Sequence, residues 1–305
     1  MSNAPKISVI MPAYNAERFI SKTIQSILNQ SFNDFEFIII DDGSIDDTEK
    51  IIKSFDDQRI RYIKNPKNIG LASSLNIGVK EAKGLYIARI DADDISTNDR
   101  LEKQSSFLDQ NPFIGIVGSS ILEIDSEDKP IRILRKPKSH ILIKWSSLFS
   151  TPMYHPTIMA RADILKSHHY DEHLSNSEDY ELWSRLLFST DIHFANFFEP
   201  LLNYRIYPES FTQTLNLDKR VLSAHNTIRN ISHYISLSQG EKDLFVRFKQ
   251  EQTISSKNLL GIFFIYLRAI SGFRRKEHLG IMGTLKLYPK VFQLTWFLVK
   301  YKLKH

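Results

Sequence analysis

Carboxylates are concentrated in the stretch YIARIDADDIS, residues 86–96, where a short apolar run ends in Asp91, Asp93 and Asp94. Asp91 and Asp93 form a D-x-D pattern and would point the same way on an extended strand. Carboxylate oxygens are the ligands that Mg²⁺ and Mn²⁺ prefer, and these ions keep positions open for substrate phosphates. The pattern therefore predicts a divalent-cation site. A solvated turn with helix-capping aspartates would also explain it, and Asp94 receives no role beyond such a cap.

Three other short segments carry candidate chemistry. In PAYN, Tyr14 can stack on a base or ribose, or simply lie at a pocket rim. In IIIDDGS, Asp42 can accept hydrogen bonds from a nucleobase edge or cap the following helix. In NSEDYELWSRL, Asp179 falls in the first turn of a predicted helix, where the helix dipole stabilises a carboxylate. The same carboxylate could take the proton from an attacking hydroxyl, and no Ser–His–acid pattern or Gly-rich phosphate loop competes for that role.

The periods of the apolar residues predict the elements that must position these groups. Strands are predicted over 7–14, 35–41, 59–64, 85–91 and 113–118, and helices over 17–30, 44–55, 70–82, 99–110 and 177–188, with a strand leading into a helix over 155–165. Alternating strands and helices indicate an α/β fold with a mostly parallel sheet covered by helices on both faces. Ligands of such sheets bind at the carboxyl ends of the strands, where Tyr14, Asp42, Asp91 and Asp93 are expected.

Composition limits the class of protein. The chain contains no cysteine, which excludes disulfides, Cys-ligated zinc and thiol nucleophiles and fits a reducing compartment. The apolar run after Lys6 is too short for the core of a signal peptide. The net charge is +5, but residues 274–305 hold eight Lys or Arg and one acid, so the excess belongs to the tail. A nucleic-acid-binding protein would need a basic stripe across the folded body, and we expect no nucleic-acid partner.

Strand signals stop after about residue 215, and residues 216–305 are predicted to form a C-terminal helical region. Two segments there, 258–276 and 288–305, mix apolar and basic residues. Neither reaches the roughly 18 apolar residues needed to span a bilayer. They suit an interfacial helix on a membrane surface. Packing on the body of the protein, or on another subunit of a homo-oligomer, explains them equally well.

Six segments, taken in order, resemble the family 2 glycosyltransferases, which are inverting enzymes with the GT-A fold. They are SVIMPAYN, FEFIIIDDGSIDDT, NIGLASSLNIGVKEAKGLYIARIDADD, HPTIMARADIL, SEDYELWSRL and LLNYRIYPES, and they cover about two thirds of the chain, from Lys6 to Ser210. The resemblance implies a GT-A, Rossmann-like catalytic domain over residues 1–215. Within it, residues 1–95 would form the nucleotide-binding half and residues 96–215 the acceptor-binding half.

The resemblance also implies roles at matching positions on the donor side. The residues implied to bind the nucleotide or the donor are Pro12, Ala13, Tyr14, Glu17, Asp42, Asn68, Asn76, Asp91 and Arg205. Within that set, Asp42 would bind the base. Asn68 and Asn76 would lie in the segment that closes over the nucleotide, and Arg205 would reach the phosphates.

On the metal and acceptor side, the resemblance implies that Asp93 holds Mn²⁺ or Mg²⁺ on the diphosphate, with Asp91 beside it at the ribose and the metal. His155 and Glu178 would border the donor and acceptor sugars. Asp179 would be the general base, and the choice between the adjacent acids Glu178 and Asp179 rests on the family pattern.

Two departures from the family pattern matter. Many relatives have a His two residues after the YR of the last strand, where it can complete the metal shell. Tyr207 stands in that place here, which removes the support for metal ligation from this segment. The Q-x-x-R-W pattern and the multiple membrane spans typical of processive synthases are also absent. ELWSRL instead resembles non-processive members, which add one sugar per cycle.

The sequence therefore predicts a glycosyltransferase of the hexosyltransferase class that moves one sugar from a nucleotide-sugar, preferentially a UDP-sugar, to a hydroxyl acceptor. The acceptor would be a surface glycan, a lipid-linked oligosaccharide or a glycoprotein. The expected location is cytoplasmic, with peripheral attachment to the inner face of the cytoplasmic membrane left open. A nucleotide-sugar-binding protein without transfer and a nucleotidyltransferase remain alternatives. A nucleotidyltransferase would be expected to carry a Gly-rich basic loop after the first strand, and PAYNAERF lacks one.

Overall fold

A computed structural model describes residues 4–174, 177–208, 217–250 and 255–289. The strands of this part are β1 Ile7–Ala13, β2 Phe35–Asp41, β3 Ile60–Lys64, β4 Tyr86–Arg89, β5 Ile95–Ser96, β6 Ile114–Ile124, β7 Pro130–Leu134, β8 Met159–Arg161 and β9 His193–Arg205. The helices are α1 Ile20–Leu28, α2 Thr48–Lys53, α3 Leu71–Glu81, α4 Arg100–Gln110, α5 His140–Ser146, α6 Ala162–Ser167, α7 Glu178–Ser189, α8 Leu217–Ser232, α9 Gln239–Gln250, α10 Ser256–Lys276 and α11 Ile281–Leu285, with a 3₁₀ turn at His155–Thr157.

The strands form one sheet in the order β3-β2-β1-β4-β8-β6-β9-β5, with β7 paired to the C-terminal part of β6. β3, β2, β1 and β4 run parallel, as predicted for the first hundred residues. β8 lies antiparallel between β4 and β6, and β9 runs parallel to β6. The architecture confirms the predicted α/β fold class.

The central strands are buried on both faces because helices cover each face. On one face, Val9 of β1 shares an apolar cluster with Ile24 of α1 and Leu101 of α4. On the other face, Ile10 of β1 shares a second cluster with Leu75 of α3. Consecutive residues of β1 thus enter different clusters, as the two-residue period of a strand requires. Burial on both sides explains why these strands read as continuous apolar runs.

Two helices begin later than predicted. α1 begins at Ile20 rather than at residue 17. α2 begins at Thr48, because Ser44, the predicted cap, is bound elsewhere. Its N–H donates to Asp41 Oδ1 at 2.8 Å, and its hydroxyl accepts the N–H of Asn15 at 3.0 Å. The loops after β1 and β2 are therefore tied to each other, which no periodicity in the sequence indicates.

The middle of the chain contains elements that were not predicted. β6 extends to Ile124 instead of residue 118, because β9 and β7 flank its second half. β7, β9 and α5 also lie outside the predicted elements. The predicted strand and helix over 155–165 are β8 and α6, preceded by the 3₁₀ turn.

The described part of the C-terminal region is helical, as predicted, and packs on the sheet domain through α5. Trp145 and Phe149 share an apolar cluster with Phe245 and Phe273, and Trp145 Nε1 donates to the carbonyl of Leu287 at 3.2 Å. Segment 258–276 therefore buries one side against the body of the protein, one of its predicted alternatives. Segment 288–305 lies almost entirely outside the described residues. Among the helices of the described ranges, none is long and apolar enough to cross a membrane.

Gly78 allows α3 to lie close to the sheet, and we expect Gly78→Ala to destabilise the fold. A Cβ there would lie 2.5 Å from Ile10 Cγ2 and 2.9 Å from Ile40 Cδ1. Overpacking of this kind costs about 1–3 kcal/mol. Gly240→Ala in α9 is the control, because its Cβ would meet nothing within 4 Å. Thermal unfolding should show a lower midpoint for the first variant and an unchanged or higher one for the second. Equal midpoints would contradict this account of α3 packing.

Candidate active site

Strand β4 ends at Arg89. The residues that follow, Asp91, Asp93 and Asp94, therefore lie at the edge of the sheet formed by the carboxyl ends of β1, β2 and β4. One carboxylate oxygen from each of the three aspartates lies within 4.8 Å of the others. Asp94 is fully buried, whereas the Asp91 side chain is partly exposed. The two predicted side chains, Asp91 and Asp93, therefore converge, and Asp94, predicted only as a helix cap, joins them.

Three carboxylates at such distances repel one another, and protonation relieves the repulsion. Burial and the charge of Asp91 raise the pKa of Asp93 to about 6, and burial and Asp93 raise the pKa of Asp94 well above its usual value. Asp94 Oδ1 accepts the N–H of Arg205 at 2.9 Å, but the buried Oδ2 has no donor among the described residues. Asp94 does not cap α4, which begins after Asp99. The all-oxygen donor set, the charge excess and the orphaned oxygen fit a hard divalent cation.

Two buried arginines lie behind these aspartates. Arg89 is only 3% exposed and donates from both terminal nitrogens to Asp91, with Nη1 and Oδ2 2.8 Å apart. Burial lowers the pKa of Arg89, but the charges of Asp91, Glu178 and Asp94 outweigh it and the pKa is raised. Arg100 donates to the carbonyl of Arg89 at 2.7 Å, and burial lowers the pKa of Arg100 to about 9. Sequence reasoning missed Arg89, although a charged residue inside the apolar strand YIARI was a signal.

The predicted contact of Arg205 with the donor phosphates is not supported. Its side chain has no exposed surface. Nε donates to the carbonyl of Asp93 at 2.8 Å, Nη1 donates to the carbonyl of Asp125 at 2.9 Å, and the guanidinium lies 4.4 Å from the ring centre of Phe19. Arg205 thus fixes the DAD turn to the end of β9. Two residues later, the hydroxyl of Tyr207 donates to Asp93 Oδ2 at 3.1 Å.

Asp42 follows β2 and is enclosed by the loop after β3. Oδ1 accepts from Asn65 Nδ2 at 2.9 Å and from the N–H of Ile69 at 3.0 Å, and Oδ2 accepts from the N–H of Gly70 at 2.9 Å. The carboxylate thus positions the loop that carries Asn68, whose Oδ1 also accepts from Gly70. Sequence reasoning missed Asn65. The contact of Asp42 with a base stays a prediction.

The predicted residues after β1 divide by exposure. Pro12 and Ala13 are buried within β1, and their contact with a nucleotide stays a prediction. Tyr14 is 49% exposed, and Glu17 is also exposed. Glu17 Oε2 accepts the N–H of Asp47 at 2.9 Å. Tyr14 therefore offers a free ring face, whereas Glu17 partly serves to join two loops.

Asn76 is placed differently from its predicted role over the nucleotide. Its Oδ1 accepts the N–H of Tyr170 at 3.0 Å, and its Nδ2 donates to the carbonyl of Tyr170 at 3.0 Å and to Glu172 Oε1 at 2.8 Å. The amide is occupied by these contacts. Asn76 therefore anchors the segment after α6 to α3, and the predicted nucleotide contact is not supported.

A second acidic group lies in the first turn of α7. Asp179 Oδ2 accepts the hydroxyl of Thr151 at 3.1 Å. Burial and the charge of Asp179 raise the pKa of Glu178 to about 7, and burial also raises the pKa of Asp179 from its usual value. Glu178 is buried, whereas Asp179 is half-buried and is held in place by Thr151. This arrangement favours Asp179 over Glu178 as a proton acceptor.

His155 lies behind this acid pair. Its Nε2 is 2.8 Å from the hydroxyl of Tyr170, and its ring packs edge-on against Trp183. Nδ1 is 3.9 Å from Glu178 Oε1. Burial and the charge of Arg89 hold the pKa of His155 well below its usual value, so the ring is neutral and the contact is not an ion pair. His155 adjoins the predicted sugar site but is itself buried.

The two acidic groups share Arg89 as a charged neighbour. Its positive charge lowers the pKa of Asp93 in the DAD cluster and of Asp179 on α7, in opposition to burial. The DAD cluster can hold a cation that neutralises a negatively charged leaving group. The carboxylate on α7 can take a proton from a hydroxyl. Such a combination suits the transfer of a group from a phosphate ester to an alcohol.

Comparison with known proteins agrees with this geometry. Residues 8–168, more than half of the chain, match the family model described as "Glycosyl transferase family 2". An "Uncharacterized glycosyltransferase" of Haemophilus influenzae is 35% identical over 250 residues, which cover 77% of this chain and 76% of the relative. Among solved structures, residues 1–349 of S. aureus TarS in complex with UDP-GlcNAc align with a TM-score of 0.62 at 18% identity, covering 88% of this chain and 81% of that one. The mannosyltransferase PcManGT from Pyrobaculum calidifontis, in complex with GDP-Man and Mn²⁺, aligns with a TM-score of 0.54 at 15% identity, covering 97% and 81%.

Proposed function

The chain belongs to glycosyl transferase family 2 and has the GT-A fold, and we propose that it transfers one sugar per cycle from a UDP-sugar to a hydroxyl acceptor, with inversion at the anomeric carbon. Glycosyltransferase activity follows from the family. The observation that carries the finer proposal is geometric: Thr151 holds Asp179 in the first turn of α7, and three aspartates converge after β4, one of them bound by Arg89. The hexosyltransferase class is part of this proposal.

The acceptor side of the reaction depends on Asp179. Its carboxylate takes the proton of the acceptor hydroxyl as the hydroxyl oxygen bonds to the anomeric carbon, and the bond from that carbon to the diphosphate oxygen breaks. Attack opposite the leaving group inverts the configuration. Thr151 holds Asp179 Oδ2 in place. Burial and the charge of Asp179 raise the pKa of Glu178, and a proton on Glu178 reduces the repulsion between the two carboxylates.

The donor side depends on the aspartates after β4. Asp93 and Asp91, with Asp94 beneath them, would hold Mn²⁺ or Mg²⁺, and a bound cation supplies positive charge against the departing diphosphate. Similarity to a transferase crystallised with Mn²⁺ supports this assignment. Similarity to TarS in complex with UDP-GlcNAc supports a UDP-sugar. Tyr14 offers its exposed ring to the base or ribose, and Asp42 orders the neighbouring loop.

The proposal predicts metal-dependent turnover of a nucleotide-sugar. We expect a panel of UDP- and GDP-sugars, incubated with the full chain and Mn²⁺, to include a UDP-sugar that is hydrolysed slowly without acceptor. Chelation with EDTA should abolish the release of UDP, and added Mn²⁺ or Mg²⁺ should restore it. Chromatography of the nucleotide products measures the reaction. Binding of a sugar nucleotide without any turnover would favour a binding protein, and turnover in EDTA would contradict the metal assignment.

The acid pair on α7 predicts opposite outcomes for two isosteric variants. Asp179→Asn should lower the transfer rate by about 10²–10⁴, the usual cost of losing a general base, and should leave UDP affinity unchanged. Glu178→Gln should keep most of the rate at pH 7 and below, where Glu178 is largely protonated and the neutral amide resembles it. Product formation measures the rate and calorimetry the affinity for UDP. If the Glu178 variant lost the activity and the Asp179 variant kept it, the two roles would be reversed.

We further propose that the enzyme works at the cytoplasmic face of a membrane, on a lipid-linked or surface-glycan acceptor. Ile281 and Met282 on α11 are 72% and 74% exposed. Arg274 and Arg275 line an adjacent hollow, and the ion pairs found here among the described residues join Lys144 to Glu277 and Arg268 to Glu241. Exposed apolar residues flanked by arginines suit the surface of an anionic bilayer. A homo-oligomer formed symmetrically through this patch would instead bring like charges together.

This membrane surface can be tested without any transfer assay. We expect the full chain to co-sediment with phosphatidylglycerol vesicles more than with phosphatidylcholine vesicles, and Ile281→Glu with Met282→Glu to reduce the effect. Phe113→Glu is the control, because Phe113 is 85% exposed but precedes β6. Equal sedimentation of the parent and all variants would contradict the proposal that this patch binds a membrane. Loss of a dimer in light scattering, with vesicle binding unchanged, would favour an oligomer interface.

A further inference from the structure

Tyr207 occupies a position next to the DAD cluster that the proposed mechanism does not use. Its hydroxyl donates to Asp93 Oδ2 at 3.1 Å. The residue follows β9 by two positions, so the end of that strand determines where the ring lies. Since Arg205 is committed to backbone carbonyls, Tyr207 is the described side chain of this segment that contacts a predicted metal ligand.

The ring of Tyr207 is packed against other side chains of the protein. Phe19, which precedes α1, packs against it with ring centres 5.1 Å apart. The guanidinium groups of Arg205 and Arg18 also contact Phe19, 4.4 Å and 4.8 Å from its ring centre. Arg18 lies 6.0 Å from the ring centre of Tyr207. The hydroxyl is therefore placed by packing before any ligand binds, which is the condition for a supporting hydrogen bond to orient a ligand side chain.

We infer that Tyr207 is a positioning residue for the metal site: its hydroxyl fixes Oδ2 of Asp93, so that the carboxylate presents Oδ1 to a divalent cation. The inference rests on the proposed metal site and concerns this chain's own side chains. Each aspartate of the cluster then has its own supporting donor. Arg89 holds Asp91, the N–H of Arg205 holds Asp94, and Tyr207 holds Asp93.

Supporting hydrogen bonds of this kind are worth much in metal affinity. Their removal typically weakens binding by about 10–100-fold. A tyrosine that acts in this way stays protonated and binds the metal only through the carboxylate that it orients. A tyrosine that ligates the metal directly as phenolate would lose its proton on binding. These two roles differ in a spectroscopic signature as well as in affinity.

The test is Mn²⁺ binding to Tyr207→Phe, which keeps the ring packing on Phe19 and removes only the hydroxyl. Tyr234→Phe is the matched control, because the hydroxyl of Tyr234 also donates to a carboxylate, Glu277 Oε1 at 2.6 Å, but lies among the C-terminal helices. Calorimetric titration of the full chain with Mn²⁺ alone should give about 10–100-fold weaker binding for the first variant and parental binding for the second. Thermal melting verifies that both variants are folded.

Three outcomes separate the possibilities. If folded Tyr207→Phe binds Mn²⁺ as tightly as the parent, the inference is overturned and the metal site stands. If Mn²⁺ produces the ultraviolet band of tyrosinate in the parent but not in Tyr207→Phe, Tyr207 is a ligand and its positioning role is wrong. If the parent itself binds no Mn²⁺, with or without UDP, the proposed metal site is wrong and this inference is wrong with it. This outcome is seen in the parent alone and does not depend on Tyr207→Phe.

Discussion

The buried guanidinium of Arg89 is the constraint on which the site depends. Placing several carboxylates at the end of a parallel sheet takes charge out of water, at a cost of several kcal/mol for each ion that has no partner. Arg89 lies at the end of β4, a strand paired with β1 on one side and β8 on the other. Its own N–H donates to the carbonyl of Ile158, and its carbonyl accepts from Arg100. The sheet backbone thus fixes the position of the positive charge.

The second half of the site is joined to the first by polar contacts that cross long distances in sequence. Asn76 of α3 holds the backbone of Tyr170, 94 residues away, and Tyr170 in turn contacts His155 beside Glu178. Thr151 comes from the connection before the 3₁₀ turn and holds Asp179. Asp179 and its neighbours are therefore positioned by groups from separate segments, so a small shift of α3 or α6 would move them relative to the aspartates after β4.

Sequence reasoning succeeded where the rule is local. The two-residue and 3.6-residue periods predicted the alternating elements of the first hundred residues. The rule that ligands lie at strand ends pointed to Asp42, Asp91 and Asp93, whose ligand contacts stay predictions. Sequence reasoning could not choose where a side chain had several possible partners: Asn76 and Arg205 were predicted to bind the donor, and in the structure they contact groups 94 and 112 residues away within the protein. Only the packed structure decides such a choice, because burial and competing partners are tertiary properties.

The charges around Arg89 do not balance, and the imbalance is informative. Five acids, Asp91, Asp93, Asp94, Glu178 and Asp179, face the buried Arg89 and Arg100, because the third buried arginine, Arg205, is paired with Asp128. Asp93 and Glu178 respond with pKa values near the neutral range rather than with further ion pairs. A site built only for stability would have replaced an acid or added a base. A cation that binds the folded chain and not the unfolded one stabilises the fold more as it binds more tightly, so the proposed metal would couple its binding to folding. The buried oxygen of Asp94 that has no donor among the described residues fits that proposal.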